Sequence, residues 1–180
     1  MPISAPAFTV ADPDVCGPLT VFPILGPEAS FEFRSFAEAA ALGVQLSELR
    51  EGASVNQLFA VNPLETPVLF YEGEEVRGAQ QDRTLDRSIL VGARSEVRIP
   101  VTCVEHGRWD GSRHGEVFAP APQASHPSLR RLKSQASAET GAAACVQGEV
   151  WDEVARVSAQ HGAAGETGAL RDAFAASADS

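Results

Sequence analysis

The chain has 180 residues, 44% of them hydrophobic and 21% charged. That suits one domain whose core needs no disulfide framework. With 24 acidic against 14 basic side chains the formal net charge is −10, which argues against nucleic acid or an anionic membrane as a main partner. Cys16, Cys103 and Cys145 are far apart and form no CxxC pair, so neither a zinc ribbon nor a disulfide scaffold is expected. The opening MPISAPAFTVADPD carries no basic n-region, and no run is long and apolar enough for a membrane span. The expected location is cytoplasmic.

Residues 1–17, with several Pro and Ala, read as a flexible N-terminal arm, and residues 18–176 as a single domain. Leu19 to Leu25 (LTVFPIL) is β-rich but interrupted by Pro23, which points to an edge or bulge. Ser35 to Leu42 reads as a short helix, with Ser35 and Glu38 spaced for a capping box and Gly43 as its stop. Val44 to Leu49 alternates apolar and polar. Val55 to Val61 is its return strand, so the two form a hairpin.

Pro67 to Tyr71 is a continuous apolar run suited to a central strand. Leu85 to Val91 and Val97 to Val104 read as further strands, joined by a hairpin-like loop at Gly92 to Ser95. Pro100 implies an edge or kink in the second. Residues 110–127 are turn-rich and read as a surface loop. Helical spacing then takes over: Leu129 and Leu132, a stripe of Val146, Val150, Val154 and Val157, and Leu170 with Phe174 after Thr167. Strands first (18–109) and helices last (128–176) predict an α+β fold. It is a mainly antiparallel β-sheet, sandwich or barrel-like, with helices packed at the C-terminal end.

Between the apolar runs lies the densest polar cluster of the chain, from Glu72 to Arg87. Glu72 and Glu74, at a strand-to-turn junction, suit acid–base work or Mg²⁺ binding; the plain alternative is a solvated acidic turn. Gly78 permits an unusual backbone, Gln80 and Gln81 offer donors and acceptors, and Arg83 offers a planar fork for phosphate or carboxylate. The alternative is an Arg83–carboxylate pair that pins a turn. Arg87 adds a further positive charge. Cys103 and Glu105, two apart on a strand, would share a face. Glu105 and Arg108 suit a pair that orders the strand end, Cys103 an inert buried thiol, and Trp109 either core or a lid over a pocket. His106 and His114 have no standard metal spacing with Cys103 and Glu105, and no metal ligand set is assigned. GxSxG, HExxH and phosphate-loop motifs are absent.

The runs PVLFYEGEEVRGAQQDR, SILV and IPVTCVEHGRW, with a weaker echo at Gln147 to Trp151, resemble one family. It is the ADP-ribosylglycohydrolase- and rhodanese-phosphatase-associated protein domain, an uncharacterised bacterial group. The similarity extends in order over roughly residues 18–175. It implies a role near NAD or ADP-ribose metabolism and gives no established reaction. The motif falls here on Glu72, Gly73, Glu74, Gly78, Gln80, Arg83, Cys103, Glu105, Arg108 and Trp109. Family members usually continue into further strands, which makes this chain either a short member or an incomplete domain.

The expectation is therefore a phosphorylated, nucleotide-like ligand with no identified cofactor. It would be held by Gly78, Gln80, Gln81, Arg83, Arg87, Glu105, Arg108 and Trp109, with Glu72 and Glu74 as catalytic candidates if there is catalysis. The alternative is a non-catalytic interaction module whose polar cluster only stabilises the fold. Nucleic acid and membrane are not expected partners. A homo-oligomer, or a partner chain completing the sheet, is.

Overall fold

The computed structural model describes residues 7–27, 30–109, 111–140, 146–163 and 165–178. Cys145, the first six residues of the expected arm and the last two residues of the chain lie outside them. The chain divides into two units, Met1–Glu32 and Phe33–Ser180.

In the first unit, β1 (Thr9–Val10) pairs antiparallel with β4 (Ile24–Leu25), and β2 (Asp14–Cys16) with β3 (Leu19–Val21). The two pairings follow one another along a single β-ribbon that turns back at Gly17 and Pro18. Within the expected loose arm, Thr9 to Cys16 thus form one half of a ribbon, and its return half is LTVFPIL. Pro23 falls between β3 and β4, where a residue without an N–H does least harm.

The second unit opens with β5 (Arg34–Ser35) and α1 (Phe36–Ala40). The capping box is present: Ser35 Oγ accepts from the Glu38 N–H, and Glu38 accepts from the Ser35 N–H at 2.8 Å. Next come β6 (Gln45–Ser47), β7 (Gln57–Asn62), β8 (Val68–Phe70), β9 (Glu74–Arg77), β10 (Arg83–Leu85), β11 (Ile89–Val91), β12 (Ser95–Cys103) and β13 (Ala119–Ala124). Three helices follow, α2 (Pro127–Thr140), α3 (Gln147–Gln160) and α4 (Leu170–Ala178).

The main sheet has the order β13-β9-β10-β12-β7-β6 and every neighbouring pair is antiparallel. A bridge between Ser47 and Val117, and the Phe118 N–H bonded to Leu46 O at 2.7 Å, tie the edge strand β6 to the chain entering β13. The sheet therefore curls round its own core as a half-barrel pinned at one end. Leu46, Leu58, Ala60, Val76, Leu85, Ile99 and Val101 fill it, with Phe36, Phe70 and Phe118. A second cluster joins Val104 at the end of β12 to Leu129, Val150, Val154, Val157 and Leu170 of the helices. The valine stripe on α3 buries its predicted face. No helix among the described residues is long and apolar enough to cross a membrane.

Four details differ from the sequence reading. The run Leu85 to Val91 is broken: β10 ends at Leu85 and β11 begins at Ile89, in a different, three-stranded sheet of order β11-β8-β5. Consequently Gly92 to Ser95 does not close a hairpin; β12 pairs with β7 and β10 instead. Pro100 stands in an inner strand, at the point where β12 passes from β7 to β10, so its missing N–H interrupts neither ladder badly. The stretch 110–127 is more than a loop. It contains β13, whose two prolines are accommodated at the sheet edge with a register shift between Pro120 and Ala124.

Candidate functional site

Strand alternation decides what each polar residue of the central cluster meets. Arg83 stands opposite Val76 and Cys103, so its side chain enters the apolar interior of the curled sheet. It is fully buried, the largest such side chain among the described residues. Its Nη1 donates to Gln81 O at 3.2 Å and to Gln81 Oε1 at 3.3 Å. Nη2 lies 3.5 Å from Oε1 of Glu48, which reaches inward just past β6 with the parity of Leu46. Beyond this ion pair, Nε and Nη2 of Arg83 and both oxygens of Glu48 have no hydrogen-bond partner among the described residues. Burial raises the pKa of Glu48, against the opposing charge of Arg83, the nearby N–H groups of Gln80 and Ser54, and His114. Burial lowers that of Arg83, against Cys103, Glu48 and Asp82. The Trp109 ring covers the guanidinium at 5.2 Å and is itself 41% exposed.

The loop from Gly78 to Asp82 that carries Arg83 into the sheet is fixed by a closed ionic lattice. Arg108 donates to both oxygens of Glu105 (2.9 and 2.7 Å), to Asp82 at 3.0 Å and to Ala79 O at 2.7 Å. Arg171 of α4 holds the other Asp82 oxygen at 2.8 Å. Glu105 also accepts the Asp82 N–H at 2.9 Å. Burial, then the charge of Glu105, raises the pKa of Asp82 against the two arginines. Burial acts on Glu105 too, but the bonds from Arg108, the Asp82 N–H and Thr167 outweigh it and the pKa is lowered. Gly78 has φ +131° and packs against Val117 O, a conformation and a space that suit only glycine. The expected Glu105–Arg108 pair is therefore real, and it orders the loop as much as the strand end. Because β12 ends at Cys103, strand alternation does not carry on to Glu105.

Gln80 and Gln81 are nearly fully buried. Gln80 Oε1 accepts the Gly111 N–H at 2.9 Å, and Gln81 Nε2 donates to His106 O at 2.9 Å. Gln80 thus ties the loop to Gly111, and Gln81 ties it to the chain after β12 while accepting from Arg83. The opposite face of β9 and β10 is polar as well, and α2 covers part of it. Lys133 there donates to Leu85 O at 2.8 Å and pairs with Asp86 at 3.0 Å. Glu75, opposite Thr84, is fully buried, 3.7 Å from Arg77, and its pKa is pushed up to about 7, chiefly by burial.

Glu72 and Glu74 are not part of the Arg83 site. They line a separate cleft of about 440 Å³ with Tyr71, Ser88, Gln123 and Arg130. Glu72 pairs with Arg130 at 2.6 Å, and Glu74 accepts the Tyr71 N–H. Arg87 is exposed in the turn before β11 and joins neither group. Among the described residues no three His, Cys, Asp or Glu side chains converge as a metal site would require. Glu48 and Arg171 were missed by the sequence reading, and His114 was weighed there only as a metal ligand, whereas its charge here acts on Glu48. Glu48 did leave a signal, since in VQLSEL it has the parity of Val44 and Leu46. Arg171, on a helix far along the chain, left none.

Comparison with protein families returns a match over residues 7–180 to the ARG and Rhodanese-Phosphatase-superfamily-associated Protein domain. Comparisons with curated proteins and with solved structures return no match.

Proposed function

The chain belongs to this ARG- and rhodanese-phosphatase-associated family, and from that premise we propose that it is a binding domain for a phosphorylated, nucleotide-like ligand. The ligand's anionic group would be taken by Arg83. One observation carries the reading: a fully buried guanidinium keeps Nε and Nη2 without hydrogen bonds among the described residues, beside an equally unbonded Glu48. Buried polar atoms are nearly always bonded to protein, water or ligand. Nε and Nη2 form the edge that grips a phosphate or carboxylate with two parallel bonds. Burial raises the pKa of Glu48, so this carboxyl takes up a proton more readily than a surface carboxylate does when an anion approaches. Trp109 supplies a face on which a base can stack, and Gln80 and Gln81 hold the loop. Taking ARG as ADP-ribosylglycohydrolase, the family's association favours ADP-ribose or a relative of NAD as the ligand.

The closed lattice of Asp82, Glu105, Arg108 and Arg171 favours a second reading, in which the domain is an interaction module and the whole cluster is structural. Thermal shift separates the two. Ligand at about 100 times its dissociation constant stabilises by roughly 2.7 kcal/mol, a rise of roughly 5–10 °C for this size of domain. ADP-ribose, NAD, AMP and inorganic phosphate are the probes. Binding predicts a rise that Arg83→Gln and Trp109→Ala abolish. A cooperative melt that none of the four moves refutes the binding reading, and a large loss of stability in Arg83→Gln then supports the structural one.

A further inference from the structure

The β-ribbon of the first unit leaves its apolar side chains uncovered. Val10, Val15, Leu19, Phe22, Ile24 and Leu25 are each between 57% and 70% exposed. A lone two-stranded ribbon is marginal in water, and an apolar surface of this kind marks an interaction site. The ribbon lies within the part of the chain that the family match covers. Residues 1–32 contain no Lys or Arg and four acidic residues, Asp12, Asp14, Glu28 and Glu32. Anionic lipid and nucleic acid are therefore poor partners for it. Because each pairing is only two-stranded among the described residues, every strand of the ribbon keeps an outer edge that no described strand pairs with.

The chain itself carries a matching surface. Strand β11 ends the three-stranded sheet of the second unit, and Leu90 on it is 45% exposed. Arg87 and Arg94 flank the strand, both exposed. Arg94 is paired with Glu65, whereas Arg87 has no ion-pair partner among the described residues. An acidic, apolar ribbon and an apolar edge flanked by arginine are complementary in backbone, in hydrophobicity and in charge.

We propose that the ribbon of one molecule adds along β11 of a second copy of this chain. Asp12 and Asp14 face the partner copy's arginine-flanked edge there, and the two copies exchange ribbons reciprocally. Each copy supplies one ribbon and one edge, so the contact closes with two-fold symmetry and leaves no open end. The dimer does not depend on the ligand site.

Sedimentation equilibrium of the full chain across the micromolar range tests this. The expected mass is twice the 19.0 kDa of the chain. Ile24→Asp in the ribbon and Leu90→Asp on the edge should each return it to the monomer mass, with the far-UV spectrum and the melt still those of a folded protein. Arg87→Asp should weaken the dimer about tenfold, and Asp14→Arg in the same chain should restore it. That charge reversal keeps the test decisive even if an apolar-to-acid variant misfolds. A wild-type monomer would overturn the proposal; it is what a ribbon covered by its own molecule predicts. A dimer indifferent to Ile24→Asp also overturns it. So does a dimer that Ile24→Asp dissociates but Leu90→Asp and Arg87→Asp leave intact, because the ribbon then binds elsewhere.

Discussion

Replacing Glu75 by Gln should make the protein more stable at pH 8 and change it far less at pH 5. Glu75 is fully buried on the outward face of β9, and neither oxygen is hydrogen-bonded among the described residues. Burial dominates, the Arg77 guanidinium at 3.7 Å compensates only in part, and the charge of Asp82 adds to the cost, so the pKa is pushed up to about 7 from 4.5. Between those two values the folded state holds a proton that the unfolded state has released. The stabilisation from the neutral acid is complete below the unfolded value and is lost as pH rises through about 7. A carboxyl moved from 4.5 to about 7 corresponds to about 3 kcal/mol. Glutamine keeps the neutral shape at every pH. Urea unfolding of wild type and Glu75→Gln at pH 5 and pH 8 gives four free energies. Their double difference isolates this one group from the others that titrate in the same range. The expected value is about 2.5 kcal/mol in favour of the variant at pH 8, since pH 5 already lies a little above the unfolded value. A double difference within about 0.5 kcal/mol of zero would mean that Glu75 is compensated by groups beyond Arg77, and the reasoning fails.

Two further substitutions probe the frame that holds the site. Arg108→Met takes from buried Glu105 its closest partner and leaves Asp82 to Arg171 alone, and should cost about 3 kcal/mol. The melting temperature falls accordingly, and the loss shrinks as pH is lowered and the two acids take up protons; a drop independent of pH would refute the ionic account. Gly78→Ala meets both a left-handed backbone and Val117 O at 2.9 Å from the added carbon, and should destabilise by roughly 1–3 kcal/mol in a thermal melt.

Local rules written in adjacent residues were enough for much of the architecture. Ser35 and Glu38 specify a helix start because the two groups that satisfy each other lie three residues apart. Val150, Val154 and Val157 specify a buried helix face because the helical period is a property of the segment alone. The alternation in VQLSEL and the return strand after it specify a hairpin, and the order of strands before helices gives the α+β class. The strand β9 was not legible in the same way. Glu74, Glu75 and Arg77 look like solvent-facing residues, and only the cover of neighbouring elements makes this a buried strand. The break at Asp86 to Ser88 was hidden for a related reason: LDRSILV reads as one strand, and nothing local says that its halves join different sheets.

The candidate site divides in the same way. The sequence by itself determined which residue types were concentrated between Glu72 and Trp109, and that Glu105 and Arg108 were spaced to pair. Their spacing of three residues is a short-range geometry that survives whatever the rest of the chain does. Only the tertiary structure decided that Arg83 turns inward to Glu48 while Glu72 and Glu74 line another cleft. That choice depends on strand parity and on the curling of the sheet, which bring residues 48 and 83 together across 35 positions. Arg171 joins Asp82 from 89 residues away. A charge pair of that kind has no sequence period, because its two members are brought together by packing and not by the chain that links them.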